Sequence, residues 1–277
     1  MEGRFARIVL RVWAAGVLLF FFLPILTIVL FAFDKVNIET FPIHAWSLHW
    51  FSFAWDDTTV RAALVVSLKA AALATTVALL LGSAAAFGVH RFRFFGRDAI
   101  SLLLVLPLAL PGIITGIALQ SSFDFAGIRL SIYTIIIGHA TFCIVVVYNN
   151  VIARLRRVSG SLYEASADLG AHGWQTFRFV TIPLLSTALI SGALLAFALS
   201  FDEVIVTTFT SGGGSGQTTL PLWIFGNIRL GQNLPEVNVV VTFVMLVTIV
   251  PIALAVRLTG GGGATRASAG VVRAADE

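Results

Sequence analysis

The chain has 277 residues, of which 58% are hydrophobic and 12% charged, with a formal net charge of +4 at pH 7. This composition excludes an ordinary soluble domain, in which about a quarter of the residues are charged. The cations lie in short segments between long apolar runs and are not clustered with aromatic residues, which argues against a nucleic-acid-binding protein. The one cysteine, Cys143, lies inside an apolar run, so the chain has no disulfide framework.

Six apolar runs are long enough to cross a hydrocarbon core of ~30 Å, which takes about 20 helical residues. Because these runs do not alternate in polarity as barrel strands do, we predict an all-α, polytopic membrane protein. The six predicted spans are 12–33, 64–89, 98–120, 131–152, 184–209 and 237–258. They form one transmembrane domain, 12–258, between an N-terminal segment, 1–11, and a flexible glycine-rich tail, 259–277. The first run has span length and lacks a small-residue cleavage pattern, so we expect a retained anchor rather than a signal peptide.

The distribution of Lys and Arg predicts the orientation. Thirteen lie in the N-terminus, the loops 90–97 and 153–183, and the tail, whereas four lie in the other loops or at their margin. Positively charged loops face the cytoplasm. Both termini and the loop 153–183 are therefore predicted to be cytoplasmic.

The first outer loop, 34–60, combines four acidic residues with Trp46, Trp50 and Trp55. Aromatic side chains at this depth usually anchor a protein at the lipid interface. Contact with a substrate or a protein partner is the alternative.

The third predicted span contains Pro107 and Pro111 within LPLALPGIITG. Two prolines four residues apart remove helical hydrogen bonds and should kink or open the helix, which is tolerated only against protein or a cavity. A packing kink and a piece of a translocation path are both consistent with this pattern.

Ionisable residues mark the fifth and fourth spans. Asp202 and Glu203 lie about 28 Å beyond Pro183 if the helix is continuous, near the outer edge of the membrane. They are either candidates for admitting a cation or a helix end that reaches water. His139 is either a satisfied interior polar residue or a proton relay.

The loop 153–183 contains a short amphipathic helix. Ser161 with Glu164 three residues later predicts a capping box, and Gly170 is a natural C-terminal stop. Pro183 is expected in the first turn of the next span, where proline is tolerated. An apolar stripe recurs at i, i+3 and i+7, formed by Leu162, Ala165 and Leu169.

The same helix has an acidic edge made of Glu164 and Asp168. Like charges four residues apart are unfavourable unless a cationic group meets them. Such a helix either docks against a basic partner or lies on the lipid headgroups as an ordinary interfacial helix.

The sequence contains no constellation typical of an enzyme. Its five histidines form no H-E-x-x-H pair, and neither lysine follows a glycine as a nucleotide-binding P-loop requires. We therefore expect a non-catalytic chain without a cofactor or metal, and any ATPase must be a separate polypeptide. An ion-coupled carrier is disfavoured, because neither internal repeats nor carboxylates near the midplane are evident.

The segment from Glu164 to Pro183, with Gly170 at its fixed spacing, resembles the EAA signature of type I ABC importer permeases, with Ser166 in place of the usual alanine. Residues 10–258 also resemble the second permease subunit of spermidine/putrescine-type importers. That similarity is densest at GHATFCIVVVYN from Gly138, at EASADLGAHGWQTFRFVTIP, and at FALSFDEVIVTTF from Phe197.

The resemblance implies a multi-pass protein of the bacterial inner membrane whose loop 153–183, the coupling loop, docks on a cytosolic ATPase dimer that binds ATP and Mg²⁺. The apolar stripe would enter a groove on the ATPase, Glu164 or Asp168 would face basic residues, and Pro183 would pass motion into the fifth span. A second homologous permease, an extracytoplasmic substrate-binding protein and membrane lipid are the other implied partners.

The resemblance also implies a polyamine substrate. Related permeases often carry an acidic residue after the proline of the third span, where this chain has Gly112, so a polycation would rely on Asp202 and Glu203. Amino acids or GABA-like compounds, ferric ion and oxyanions remain alternative substrates.

Overall fold

The computed structural model describes residues 4–92, 95–214 and 217–260, which are almost entirely helical. The helices are α1 (Arg4–Phe31), α2 (His49–Asp56), α3 (Thr58–Arg91), α4 (Arg97–Ala109), α5 (Gly112–Phe125), α6 (Ile132–Leu155), α7 (Ser161–Asp168), α8 (Gly173–Thr176), α9 (Ile182–Phe201), α10 (Ile205–Thr210), α11 (Leu220–Leu230) and α12 (Leu234–Gly260). The all-α prediction is confirmed. Of the predicted tail, the residues from 261 onward lie outside the described residues.

The chain divides into two compact units. One comprises the residues up to Asp57 together with those from Asn227 onward, and the other is Thr58–Gly226. In the first unit, α12 contacts both α1 and α2, and the Asn238 amide donates a hydrogen bond of 2.6 Å to the Glu39 carboxylate. Most large apolar side chains of α1 are exposed, as expected of a helix that faces lipid.

The second unit is built on three long helices, α3, α6 and α9, which pack against one another. Its core contains many small or β-branched side chains; Ala78, Ala86, Cys143, Val147, Leu185 and Ala196 are all fully buried. Small residues let membrane helices approach closely. One close approach is at Gly82 of α3, where an added Cβ would lie 2.8 Å from the Ile144 carbonyl oxygen of α6.

Within the described ranges, four helical runs are long and apolar enough to cross a membrane: Phe5–Phe31, Thr58–Arg91, Ile132–Leu155 and Gly173–Phe201. The predicted count of six spans is therefore not confirmed exactly. The third and fifth predicted spans are each interrupted, whereas the sixth, 237–258, lies within the continuous helix α12.

The predicted third span, 98–120, is broken into α4 and α5. Pro107 lies within α4, whereas Pro111 is the N-cap of α5 and ends the continuity of the helix. Leu110 adopts φ −80° and ψ 142°, because the residue before a proline is pushed out of the helical region. The prolines are predicted either to kink or to open the helix. The structure shows that the helix is opened, and that the break lies at Pro111.

The predicted fifth span, 184–209, is wrong at both ends. The helical run begins at Gly173, passes through a π-helical segment at Phe177–Thr181, and ends at Phe201. Asp202 is the C-cap of α9, and the chain restarts as α10 at Ile205. Pro183 is therefore not the start of the run, although it does lie in the first turn of α9 itself.

Candidate functional site

The short helix α7 of the loop 153–183 starts differently from the prediction. Its N-cap is Gly160, which has no side chain to accept a capping bond, and Ser161 is already the first helical residue. The Ser161 hydroxyl instead pairs with the hydroxyl of Ser159 at 2.7 Å. The predicted capping box of Ser161 and Glu164 is therefore wrong, because Ser161 lies one position too far into the helix to cap it.

The end of α7 follows the prediction. Gly170 has φ +79°, a left-handed conformation that favours glycine. The Gly170 N–H donates to the Ala167 carbonyl at 2.8 Å and the Ala171 N–H to the Ser166 carbonyl at 3.1 Å. These two bonds form a Schellman motif, which satisfies carbonyls that the helix end leaves free.

The apolar stripe of α7 points away from the protein. Leu162 is 43% and Leu169 is 89% exposed, and Ala165 is also exposed. Both acidic residues of the helix, Glu164 and Asp168, are exposed as well. α7 therefore presents an uncovered apolar stripe with a carboxylate edge, which is the surface predicted for docking.

The inward face of α7 is polar. Ser166 is 8% exposed, and its hydroxyl pairs with that of Thr176 at 2.8 Å. This contact joins α7 to the helical run that becomes α9. Phe177, in the same run, packs against Phe87 of α3 with the ring centroids 5.6 Å apart. Helix α7 is thus attached by side-chain contacts to the segment that leads into a span.

A π-helical segment lies between α7 and the membrane part of α9. In it, the Ile182 N–H donates to the Phe177 carbonyl, five residues back. Pro183 follows directly and has no N–H to donate, so a regular α-helical ladder cannot run through this point. The wider turn lets the helix continue through the proline, and Gly173–Phe201 remains one helical run.

A polar cleft of about 510 Å³ lies between α6 and α9 near the coupling loop. Its lining includes Asn149, Asn150, Thr187 and Ser191. Polar side chains on two apolar spans are costly against lipid, so such a face belongs against protein or water. Arg154 lies at the same cleft, and its Nε donates to the Leu184 carbonyl of α9 at 2.9 Å.

The two helix breaks lie side by side at the other end of the unit. A Cβ added at Gly112, the first residue of α5, would lie 3.6 Å from the Cβ of Ile205, the first residue of α10. One turn further along α5, a Cβ at Gly116 would lie 2.5 Å from the Phe209 ring. The sequence marked the break at Pro111, missed the one after Phe201, and could not show that the two meet.

Asp202 and Glu203 have different environments at this junction. The side chain of Asp202 is exposed. Glu203 is half-buried, and its carboxylate accepts a hydrogen bond of 2.8 Å from the Val206 N–H. Glu203 thereby stabilises the first turn of α10. Sequence reasoning missed this role because it treated the two acidic residues as a pair within one continuous helix.

His139 of α6 is fully buried and hydrogen-bonded at both ring nitrogens. Nδ1 lies 2.8 Å from the Ser200 hydroxyl and Nε2 lies 2.8 Å from the Thr207 hydroxyl. The interpretation of His139 as a satisfied interior polar residue is confirmed. Its partners lie more than sixty residues along the chain, so no local pattern could have identified them.

Comparison with known proteins gives a consistent result. A family model described as a binding-protein-dependent transport system inner membrane component matches residues 78–260. The chain is 35% identical, over 82% of each sequence, to the putrescine transport system permease protein PotI of Escherichia coli K12. It is 31% identical to the spermidine/putrescine transport system permease protein PotC of Haemophilus influenzae, over 87% of this chain and 92% of that protein.

A solved structure of a bacterial ABC transporter involved in the import of the acidic polysaccharide alginate contains a similar chain. The TM-score is 0.71 at 16% identity, covering 94% of this chain and 99% of that one. At this identity the likeness concerns the fold alone. It extends over nearly the whole chain, beyond the range of the family model.

Proposed function

The chain belongs to the family of binding-protein-dependent transport system inner membrane components and is a permease subunit of an ABC importer; from this premise we propose that it carries polyamines such as putrescine or spermidine, or a related small amine. The substrate rests on the names of relatives at 31 to 35% identity. Asp202 supports it, since an exposed carboxylate at a helix break can attract an ammonium group.

The observation that carries the coupling mechanism is the orientation of α7. Its apolar stripe is uncovered while its polar Ser166 is buried against the chain. We place this stripe in a groove of a cytosolic ATPase dimer, which binds ATP and Mg²⁺, with Glu164 or Asp168 facing basic residues there. The permease itself supplies no catalytic residue, and its part of the mechanism is conformational.

Motion would pass from α7 into the membrane through short contacts. The Ser166–Thr176 pair and the Phe177–Phe87 packing hold α7 to the helical run that contains Pro183. Closure of the ATPase dimer would therefore move this run rather than α7 alone. The polar cleft between α6 and α9 supplies a wet surface for the cytoplasmic half of the path, and Pro111 and Asp202 lie at the breaks of its outer half.

The topology follows from the charge bias. Both termini and the coupling loop would face the cytoplasm of a bacterium. The outer loops would receive substrate from an extracytoplasmic binding protein, and a second homologous permease would complete the path.

Reconstitution tests this proposal. The chain would be placed in proteoliposomes with its ATPase, partner permease and binding protein, and ATP-dependent uptake of labelled putrescine would be compared with that of an amino acid, ferric ion and an oxyanion. We expect putrescine to be taken up in preference. Uptake driven by an ion gradient without the ATPase would contradict the coupling mechanism, and preference for another solute would contradict the substrate.

Two pairs of variants separate the parts of the proposal. Glu164→Lys should reduce co-purification of the ATPase without loss of membrane insertion, and Asp168→Lys on the same exposed edge shows which carboxylate meets the basic partner. Asp202→Asn should reduce putrescine uptake, whereas Glu203→Gln, which keeps an acceptor for the Val206 N–H, is its matched control. Equal effects of the last two variants would show that Asp202 has no special role.

A further inference from the structure

We propose that His139 is a positioning residue of the transport cycle, because its hydrogen bonds join the two helix ends that flank the break at Asp202 and so fix where that carboxylate is presented. Its importance for uptake rests on the proposed role of Asp202 in admitting the substrate. Its effect on the break itself does not.

The side chains of Ser200, His139 and Thr207 form a hydrogen-bonded bridge between three helices, which we call the strut. Ser200 lies in the last turn of α9 and Thr207 in the first turn of α10, and His139 of α6 bonds to both at 2.8 Å. All three side chains are buried, with at most 3% exposed. The break between α9 and α10 lies entirely between Ser200 and Thr207 in the sequence. The imidazole ring of His139 therefore bridges the two helix ends on either side of the break.

The hydrogen bonds have a single direction. The Thr207 hydroxyl has one hydrogen, which it donates to the Glu203 carbonyl at 2.8 Å. Thr207 Oγ1 must therefore accept from His139, which places the ring hydrogen on Nε2. Nδ1 of the neutral ring then accepts from the Ser200 hydroxyl. The chain of donors runs from Ser200 through His139 and Thr207 to the backbone of Glu203.

A neutral ring is also what the surroundings favour. The side-chain partners of His139 are two hydroxyls, and its further contact is with the neutral Ser200 backbone, whereas a buried cation requires a charged partner. The Glu203 carboxylate is engaged elsewhere, by the Val206 N–H. The role of His139 is thus to hold two hydroxyl-bearing helix ends, not to move a proton.

The remaining contacts of α10 show why this strut matters for Asp202. Thr134 Oγ1 of α6 lies 2.7 Å from the Thr210 carbonyl oxygen and also 2.7 Å from that of Ser131, so its one hydrogen is shared between the two and α6 also contacts the far end of α10. With α10 held at both ends and the Glu203 backbone tied to Thr207, the neighbouring Asp202 is left exposed at a fixed place. Loss of these hydrogen bonds therefore makes the segment between α9 and α10 more mobile, although Asp202 itself is unchanged.

The chain offers a matched pair of variants. Thr207→Val removes the hydroxyl that receives the His139 hydrogen. Thr208→Val makes the same isosteric change on the neighbouring residue, whose exposed hydroxyl bonds to the Val204 carbonyl at 2.8 Å within its own turn. His139→Phe removes both bonds, whereas His139→Gln keeps an amide that can donate to Thr207.

The reporter is a cysteine placed at Ile205, which is 43% exposed at the break. The native Cys143 is the one cysteine of the chain and is fully buried, so labelling by a membrane-impermeant maleimide reports the new site. We expect Thr207→Val and His139→Phe to raise the labelling rate about fivefold or more, as for loss of a buried hydrogen bond. Thr208→Val should not change it, and His139→Gln should restore part of the native rate.

In the reconstituted importer, Thr207→Val should raise the KM for putrescine about tenfold with kcat changed less than twofold, because substrate admission is affected rather than ATP-driven turnover. Ser200→Ala provides the same test from the other end of the strut if Thr207→Val fails to fold. Labelling and KM that match those of Thr208→Val would overturn the inference. Changed labelling in an importer that does not take up putrescine would support the strut and refute the proposed substrate.

Discussion

The contact between α3 and α6 gives the sharpest test of the packing. A Cβ added at Gly82 would lie 2.8 Å from the Ile144 carbonyl oxygen, 3.1 Å from the Val147 Cβ and 3.2 Å from the Tyr148 nitrogen. Two of these three atoms belong to the backbone, so a rotamer change cannot relieve the contact. Gly82→Ala therefore requires the two helices to move apart.

Gly88 on the same helix is the matched control, because among the described residues nothing lies within 4 Å of its added Cβ. Both Gly→Ala changes gain about 0.8–1 kcal/mol of helix propensity, so this gain cancels in the comparison. Overpacking costs typically 1–3 kcal/mol. Gly82→Ala should therefore be about 1–3 kcal/mol less stable than Gly88→Ala.

The measurement is thermal unfolding of the purified protein in one detergent, with both variants at equal concentration. We expect Gly88→Ala to equal or exceed the native protein in Tm and Gly82→Ala to fall below it. If the two variants unfold at the same temperature, the close approach of α3 and α6 at Gly82 is wrong.

Two further pairs of substitutions test other parts of the structure. Gly170→Ala, at φ +79°, should cost about 1–2 kcal/mol of backbone strain and loosen the end of α7. Faster cleavage of the coupling loop by a protease would show this loosening. Gly173→Ala is the control, because that glycine has an ordinary φ, and it should leave the cleavage rate unchanged. Leu185→Ala, in the core and fully buried, should lower the free energy of unfolding by about 2–5 kcal/mol. Leu169→Ala, at 89% exposure, should change the free energy of unfolding by less than about 0.5 kcal/mol. It should nevertheless reduce co-purification of the ATPase. Equal stability of the two leucine variants would contradict their assigned environments.

The sequence predicted the features that depend on local chemistry. Gly170 ends α7 because few other residues adopt its conformation without strain, and Pro111 opens the third span because it lacks a donor and restricts Leu110. The stripe of Leu162, Ala165 and Leu169 was visible as a spacing. Its exposure confirms that it does not belong to the core of this chain.

Helix boundaries and contacts between distant residues could not be predicted. The capping box at Ser161 failed because the helix start shifted by one residue, which pattern reasoning does not resolve. The break after Phe201 was missed because the apolar run continues through it, and hydropathy does not register a change in backbone direction. The partners of His139 come from α9 and α10, so its role required the fold.

The bond from Arg154 to the Leu184 carbonyl has a mechanical consequence. It joins the last turn of α6 to the first turn of α9. Further along the two helices, Gly192 of α9 packs against α6, with its added Cβ 3.5 Å from the Val147 Cα. In the proposed coupling mechanism, a displacement of α9 at Pro183 would therefore be transmitted to α6 as well, so that the two helices would move together.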